Sequence, residues 1–249
     1  MFNLLILYVP NQQKSWFIIE SGCAPVYKEP NFSSPMLTEA LYGESCKIKS
    51  KYKGWLKINC EDGYEGWVNT FYGHLAYEKN SYRYLVVNPN KNGFFSSLYP
   101  FGAMVNNHID GAILNNQFLD LKNIIEITQS LLGVSYRWGG KSSLGFDCSG
   151  LVQAVLKVCG FKVPRDAQDQ FNFFQDNKIN LCDARVGDLH FFGKDGNISH
   201  VGFSIGGLEL LHAQGSVKIE SLDSFKDNFN QKLLDIYLST CFIERKFDK

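Results

Sequence analysis

The stretch that decides the fold is Tyr136-Arg-Trp-Gly-Gly-Lys-Ser-Ser-Leu-Gly-Phe-Asp-Cys148-Ser-Gly-Leu-Val152. Its first half is a glycine-rich aromatic loop, and its second half delivers a cysteine to the start of an apolar run. Leu151, Val152, Val155, Leu156, Val158 and Cys159 recur at helical spacing, and Gly160 stands where a helix C-cap belongs. The spacing predicts a helix that opens at Cys148. A helix N-terminus carries partial positive charge and unpaired N–H groups, which ease the loss of a thiol proton. Cys148 is therefore a candidate nucleophile, against the plainer alternative of a cysteine buried for packing.

A thiol nucleophile needs a base, and the chain offers five histidines. Two of them share the run Ile198-Ser-His200-Val-Gly-Phe-Ser-Ile-Gly206-Gly207-Leu-Glu-Leu-Leu-His212, which reads as a β-hairpin. A three-residue loop of Ile205, Gly206 and Gly207 pairs Ser204 with Leu208 and sets His200 directly opposite His212. A two-residue loop would send the two rings to opposite faces. With the three-residue loop, Cys148 is the nucleophile, His200 the general base, and His212 the group that orients the His200 ring. A Cys148–His200 ion pair is expected in the resting protein.

Composition narrows the function classes. The 249 residues carry equal numbers of acidic and basic side chains, so no basic field exists to hold nucleic acid. A hydrophobic content of 45% with 20% charged residues is that of a chain with a real core. Seven cysteines is an odd count without a close CxxC pair, which argues against a disulfide framework or a zinc site and favours a reducing compartment. The apolar run Met1–Pro10 lacks a cationic start and a clear cleavage site, so it reads as a core strand rather than a signal peptide. No segment approaches the roughly 18 apolar residues of a membrane span.

The N-terminal third is punctuated differently. Between about residues 17 and 76, short apolar runs alternate with turns, as in Ala24-Pro-Val-Tyr27, Cys46-Lys-Ile-Lys49, Gly54-Trp-Leu-Lys-Ile58 and Asp62-Gly-Tyr64-Glu-Gly-Trp-Val68. That spacing predicts a small β-barrel. Residues 77–116 read as an irregular connector that contributes extra strands. Gln117 to Leu132 reads as an amphipathic helix leading into the catalytic loop.

Together the Y-x-W-G-G run, the D-C-S-G-L box, the V-P-R-D-A segment, the G-D-L-x-F-F strand and the S-H-V-G box resemble the NlpC/P60 family of papain-like cysteine peptidases. They occur in that family's order across roughly residues 117–245. His200 follows Cys148 by 52 residues and His212 follows His200 by 12, which suits the family's Cys-His-His triad. Two positions depart from the pattern: His190, where such strands usually carry an aliphatic residue, and Ala167, where relatives often have serine. The G-W-L-K-I and G-Y-E-G-W-V runs resemble bacterial SH3-like (SH3b) domains.

The resemblance implies hydrolysis of bacterial wall peptides, commonly at the bond from γ-D-glutamate to a diamino acid, with no metal or organic cofactor. It places Tyr136 beside the oxyanion hole, with the Cys148 backbone N–H as a second donor. Trp138, Asp147 and Ser149 join the substrate-binding set, although Asp147 reads equally as a residue that stiffens the turn. In relatives that recycle wall peptides, the residue matching Asp166 helps hold the free amine of an N-terminal L-alanine. The Asp166-Ala-Gln-Asp169 spacing reads equally as a helix N-cap. Tyr64 and Glu44 lie where the SH3-like domain of such relatives closes one end of the cleft.

The expected architecture is α+β: an N-terminal strand and SH3-like barrel over 1–76, the connector over 77–116, and an NlpC/P60 domain over 117–249. The expected partner is a peptidoglycan-derived peptide and the expected place the bacterial cytoplasm, with the periplasm or exterior as the alternative. Two other functions stay open: an amidase or hydrolase acting on intact wall, and a wall-binding protein whose catalytic half has decayed.

Overall fold

Alternation of apolar and polar residues builds the N-terminal half. The computed structural model describes residues 14–243, so the Met1–Pro10 run lies outside the described residues. Strands β1 (Trp16–Ile19), β2 (Cys23–Tyr27), β3 (Met36–Leu41), β4 (Ser45–Tyr52), β5 (Trp55–Asn59), β6 (Glu65–Asn69) and β7 (Gly73–Ala76) form one antiparallel sheet in the order β3-β2-β6-β5-β4-β1-β7. Phe17, Ile19, Ala24, Val26, Leu56, Ile58 and Val68 point to its inner face and form a core of their own. The connector adds β8 (Tyr84–Val86), β9 (Met104–Val105) and β10 (Ala112–Leu114) as a three-stranded sheet. Val86, Ala103 and Val105 of that segment pack with Tyr42 of the barrel.

The segment expected as one helix from Gln117 to Leu132 is shorter and broken. Only α1 (Ile124–Thr128) is α-helical, flanked by 3₁₀ turns at Leu121–Asn123 and Gln129–Leu131. The Leu119 N–H donates to the Val158 carbonyl at 3.0 Å, which ties that non-helical stretch to the end of the cysteine-headed helix. Asp120 then caps the first turn by accepting from the Lys122 N–H at 2.9 Å. Farther on, β11 (Lys141–Ser142) and β12 (Gly145–Phe146) make a small ribbon that ends in α2 (Cys148–Val158), whose first residue is the cysteine. Gly160 follows at φ +86, and a Cβ there would lie 2.8 Å from the Phe118 ring, so glycine is required at this helix end.

After α3 (Ala167–Phe174) come β13 (Lys178–Ile179), β14 (Leu189–Lys194), β15 (Asn197–Gly206), β16 (Glu209–Gln214) and β17 (Ser216–Ser221). The chain then adds α4 (Gln231–Asp235) and β18 (Tyr237–Cys241). The sheet order is β13-β18-β14-β15-β16-β17. Leu151, Val152 and Val155 of α2 share one core with Phe191, Val201, Phe203 and Leu211, so the cysteine-bearing helix is fixed to the histidine-bearing strands by burial. Phe192, Leu210, Leu222 and Leu233 form a separate small core.

The β15–β16 hairpin departs from the expected register. Gly206 pairs with Glu209 across the two-residue turn Gly207–Leu208, Ile205 is skipped as a β-bulge, and Ser204 and Phe203 pair with Leu210 and Leu211. Continued, this register sets Gly202 opposite His212, and His200 lies diagonally from it. A two-residue turn alone would put the histidines on opposite faces. The extra residue at Ile205 returns them to the same face.

Candidate active site

Three backbone features deliver the candidate nucleophile. Asp147 is the N-cap of α2, and its Oδ1 accepts from the Gly150 N–H at 2.7 Å. Its Oδ2 accepts from the Gly139 N–H at 2.8 Å, which pins the glycine loop to the helix start. Cys148 is buried, and the nearby amides of Ser149 and Val201 favour its thiolate form. Val201 immediately follows His200.

Burial works against the expected ion pair. Burial, then the charge of Asp147, pushes the Cys148 thiol up to about 11, and the amides of Val201 and Ser149 only partly offset this. Burial, then His212, pushes the His200 imidazole down to about 3. Both shifts favour the neutral thiol and neutral imidazole in the resting protein.

The two histidines do meet. His200 Nε2 lies 2.8 Å from His212 Nδ1, with the rings edge-on at an interplanar angle of 86°. His212 is fully buried, and its Nε2 lies 2.9 Å from Glu220 Oε2 on β17. Tyr136 is half-buried near the thiol. Burial, followed by the nearby Cys148, pushes its phenol up to about 12, so it is a hydroxyl donor at neutral pH.

A second group forms the far wall. The Tyr64 hydroxyl, from the barrel, donates to Asp166 Oδ2 at 3.1 Å. Asp166 precedes α3, but its carboxylate makes no capping hydrogen bond; only its backbone carbonyl accepts, from Gln170 N–H at 2.9 Å. Burial raises the pKa of Asp166 and pushes Tyr64 up to about 12. The Asp166 carboxylate therefore faces the barrel rather than its own helix.

Three expected positions differ. Glu44 is 1% exposed, and both its oxygens are taken: Oε2 by the Leu41 N–H and Oε1 by the Glu61 N–H, each at 3.0 Å. It also faces Lys141 Nζ at 3.6 Å. Glu44 is thus a strut and presents no oxygen to a ligand. Ser149 is buried, with its Oγ accepting from Arg165 Nη1 at 3.0 Å and its carbonyl from Gln170 Nε2 at 3.0 Å. Trp138 is 71% exposed, so it is not part of the buried group around the thiol.

Sequence reasoning missed the residues that lock barrel to catalytic half. Arg165, in the V-P-R-D-A segment, clamps Asp147 with Nη1 at 2.9 Å and Nη2 at 2.7 Å, while its Nε donates to Thr38 Oγ1 of β3 at 3.0 Å. Arg137 pairs with the fully buried Glu39, whose other oxygen accepts from the Lys141 N–H at 2.8 Å. Lys141 Nζ also donates to Asp62 at 3.0 Å. Glu44, Cys46 and Cys60 bring ligand atoms within 4.8 Å of one another, but the Lys141 ammonium beside Glu44 works against a metal ion there.

Comparison with known proteins agrees with this geometry. Residues 133–236 match the NlpC/P60 family and residues 26–70 match the bacterial dipeptidyl-peptidase Sh3 domain. The chain is 26% identical, over 85% of its length and 81% of the relative's, to the γ-D-glutamyl-L-lysine dipeptidyl-peptidase of Bacillus subtilis. A protein of the same name from Bacillus cereus is 36% identical over 109 residues, covering 41% of this chain and 32% of that one. The crystal structure of an NlpC/P60 family protein from Bacillus cereus superposes with a TM-score of 0.73 at 20% identity, covering 92% of this chain and 99% of that one. With a cysteine-headed helix packed on the histidine-bearing sheet behind an SH3-type barrel, the chain carries a cysteine-hydrolase domain of the NlpC/P60 family preceded by a bacterial SH3 domain.

Proposed function

We propose that the protein is a peptidoglycan endopeptidase that cleaves the γ-D-glutamyl–diamino acid bond of stem peptides, with Cys148, His200 and His212 as its catalytic triad. The observation that carries this reading is the 2.8 Å contact between His200 and His212 on strands packed against the helix that Cys148 opens. The reaction starts from the neutral pair. His200 takes the thiol proton as sulfur attacks the γ-carbonyl carbon, and the oxyanion is met by the Cys148 backbone N–H and the Tyr136 hydroxyl. The imidazolium then protonates the leaving amine of the diamino acid. A water, deprotonated by His200, hydrolyses the thioester and releases the γ-D-glutamyl product.

We infer further that the substrate is a released peptide with a free N-terminal L-alanine. Asp166 is an acceptor-only carboxylate with its second oxygen available to an ammonium, and Tyr64 supports it from the barrel side. In intact wall that amine is an amide carrying a sugar, which offers no charge and needs room. All seven cysteines are free thiols, Cys46 and Cys60 lying side by side among them, which suits a bacterial cytoplasmic enzyme of wall-peptide recycling.

The test is mass spectrometry of products from L-Ala-γ-D-Glu-diaminopimelate and from its N-acetylated form. Wild type should release L-Ala-D-Glu from the free peptide, and Cys148→Ala should release none. Turnover by Cys148→Ala would overturn the mechanism. Equal cleavage of the free and acetylated peptides would replace the recycling reading with a wall hydrolase.

A further inference from the structure

The histidine pair does not end the chain of contacts behind the thiol. Glu220 sits on β17 two residues beyond Lys218, the residue paired with His212, so it lies diagonally across the ladder from that ring. Its Oε2 is 2.9 Å from His212 Nε2 and accepts from Asn230 Nδ2 at 2.8 Å. Its Oε1 accepts from Lys218 Nζ at 2.8 Å. Asn230 cannot turn its amide over, because its Oδ1 caps α4 by accepting from the Leu233 N–H at 3.1 Å. Glu220 is thereby surrounded by donors, and two of them, the His212 ring and the Asn230 amide, are held by further contacts.

Proton positions follow from this. A carboxylate only accepts, so the hydrogen shared with Glu220 sits on His212 Nε2. Neutral His212 then has its lone pair on Nδ1, which must accept from His200 Nε2–H. Neutral His200 is left with a lone pair on Nδ1 alone, the single ring atom able to take the thiol proton. When that proton arrives, the imidazolium is backed through His212 by a fixed negative charge.

We propose, resting on the assignment of Cys148 and His200 above, that Glu220, held by Asn230 and Lys218, is a positioning residue: it locks both histidines as Nε2–H tautomers and makes His200 Nδ1 the base. The triad is then a four-membered relay, Cys148–His200–His212–Glu220. Replacing Glu220 by leucine removes the acceptor and frees both rings to populate the other tautomer. Replacing it by glutamine keeps a carbonyl acceptor for His212 but removes the charge.

The experiment is ¹⁵N NMR of the full chain with labelled histidines, in wild type, Glu220→Leu and Glu220→Gln, alongside kinetics on the free tripeptide. Wild type and Glu220→Gln should show His200 and His212 as Nε2–H tautomers, and Glu220→Leu a mixture. The leucine variant should lose kcat by on the order of 10²–10⁴-fold with little change in KM, as for other enzymes whose orienting anion is removed. In Glu220→Gln the acid limb of the kcat/KM profile should move to lower pH, since an imidazole without its anion binds a proton less readily. A role confined to folding would move neither tautomer nor acid limb.

Unchanged tautomers in Glu220→Leu, or a kcat within about threefold of wild type, would overturn the relay. If the leucine variant does not fold, an unshifted acid limb in the glutamine variant overturns it. The tautomers are read without turnover. A wrong nucleophile would therefore show as an active Cys148→Ala with the tautomers as stated, and a wrong relay as altered tautomer results alone.

Discussion

Gly202 stands opposite His212 across the β15–β16 hairpin, and a Cβ on Gly202 would lie 2.8 Å from the His212 Cβ and 3.1 Å from the Leu211 carbonyl. The glycine is there to leave room, since its backbone is not in the left-handed region. Gly202→Ala should displace His212 from His200 and lower kcat by about 10²-fold, the scale expected when catalytic groups move by a fraction of an ångström. The unfolding midpoint should fall by only a few degrees. Steady-state kinetics with a thermal melt check this, and full activity in the alanine variant would show that His212 has freedom the packing denies it.

The Tyr64–Asp166 contact predicts a charge-dependent specificity. Asp166→Asn should weaken use of the free peptide roughly ten- to a hundred-fold, equivalent to about 1.5–3 kcal/mol for one charge-assisted contact. The N-acetylated peptide, already poor, should change little. Tyr64→Phe should act in the same direction and more weakly, because it removes a support and not the anion. The readout is kcat/KM on both peptides, and parallel losses on both would remove Asp166 from amine recognition.

Arg165 is buried between the barrel and the head of α2. Arg165→Met should cost about 3–5 kcal/mol of stability, the penalty of leaving the Asp147 carboxylate buried without its partner. Asp147→Asn, which keeps shape and one acceptor, should cost less. Urea unfolding curves of the three proteins, compared at equal m-value, measure both changes.

Three buried histidines make the fold acid-sensitive. Burial holds His190 at about 4, His200 at about 3 and His212 at about 4, against 6.5 when unfolded. Between those limits the unfolded chain binds more protons than the folded one, so stability is full above pH 6.5 and falls as pH drops below it. Each histidine contributes a slope of about 1.4 kcal/mol per pH unit. The opposite flank comes from thiols: Cys23 and Cys148 are pushed up to about 11 and Cys159 to about 12, so unfolded thiolates draw stability away above pH 9. Melting temperature against pH should be a plateau with two falling sides. His190→Leu should soften the acid side, at the cost of the 2.8 Å contact between its Nδ1 and Thr240 Oγ1; its Nε2 makes no hydrogen bond.

What the chain discloses on inspection is whatever depends on local spacing. The helix opening at Cys148, its glycine stop at Gly160, the histidine hairpin and the short strands of the barrel all rest on periodicity and turn residues. Hidden from inspection are contacts between distant segments. Arg165 meets Thr38 across 127 positions, and Lys141 meets Glu39 across 102. Nothing near Glu44 in the chain reveals that both its oxygens are spent on backbone amides. Glu220 is invisible for the same reason, since its meaning comes from a strand pairing whose register the chain does not state. Burial, which the chain does not state, pushes the Cys148 thiol up and so works against the ion pair expected from the helix N-terminus.

The bulge at Ile205 gives the hairpin an arithmetic of its own. Strand faces alternate, so the interval between the two histidines on one ribbon has a parity, and the turn and the bulge each contribute to it. A one-residue deletion at the tip that flattened the bulge would turn one imidazole outward while leaving both histidines, the hairpin and nearly all its hydrogen bonds in place. Two-residue changes would preserve the facing. Evolution can therefore lengthen or shorten this loop only in even steps, or by adding and erasing bulges together, if the protein is to remain a catalyst. A sequence with every catalytic residue present and an odd indel between the histidines would look like an enzyme and be a scaffold.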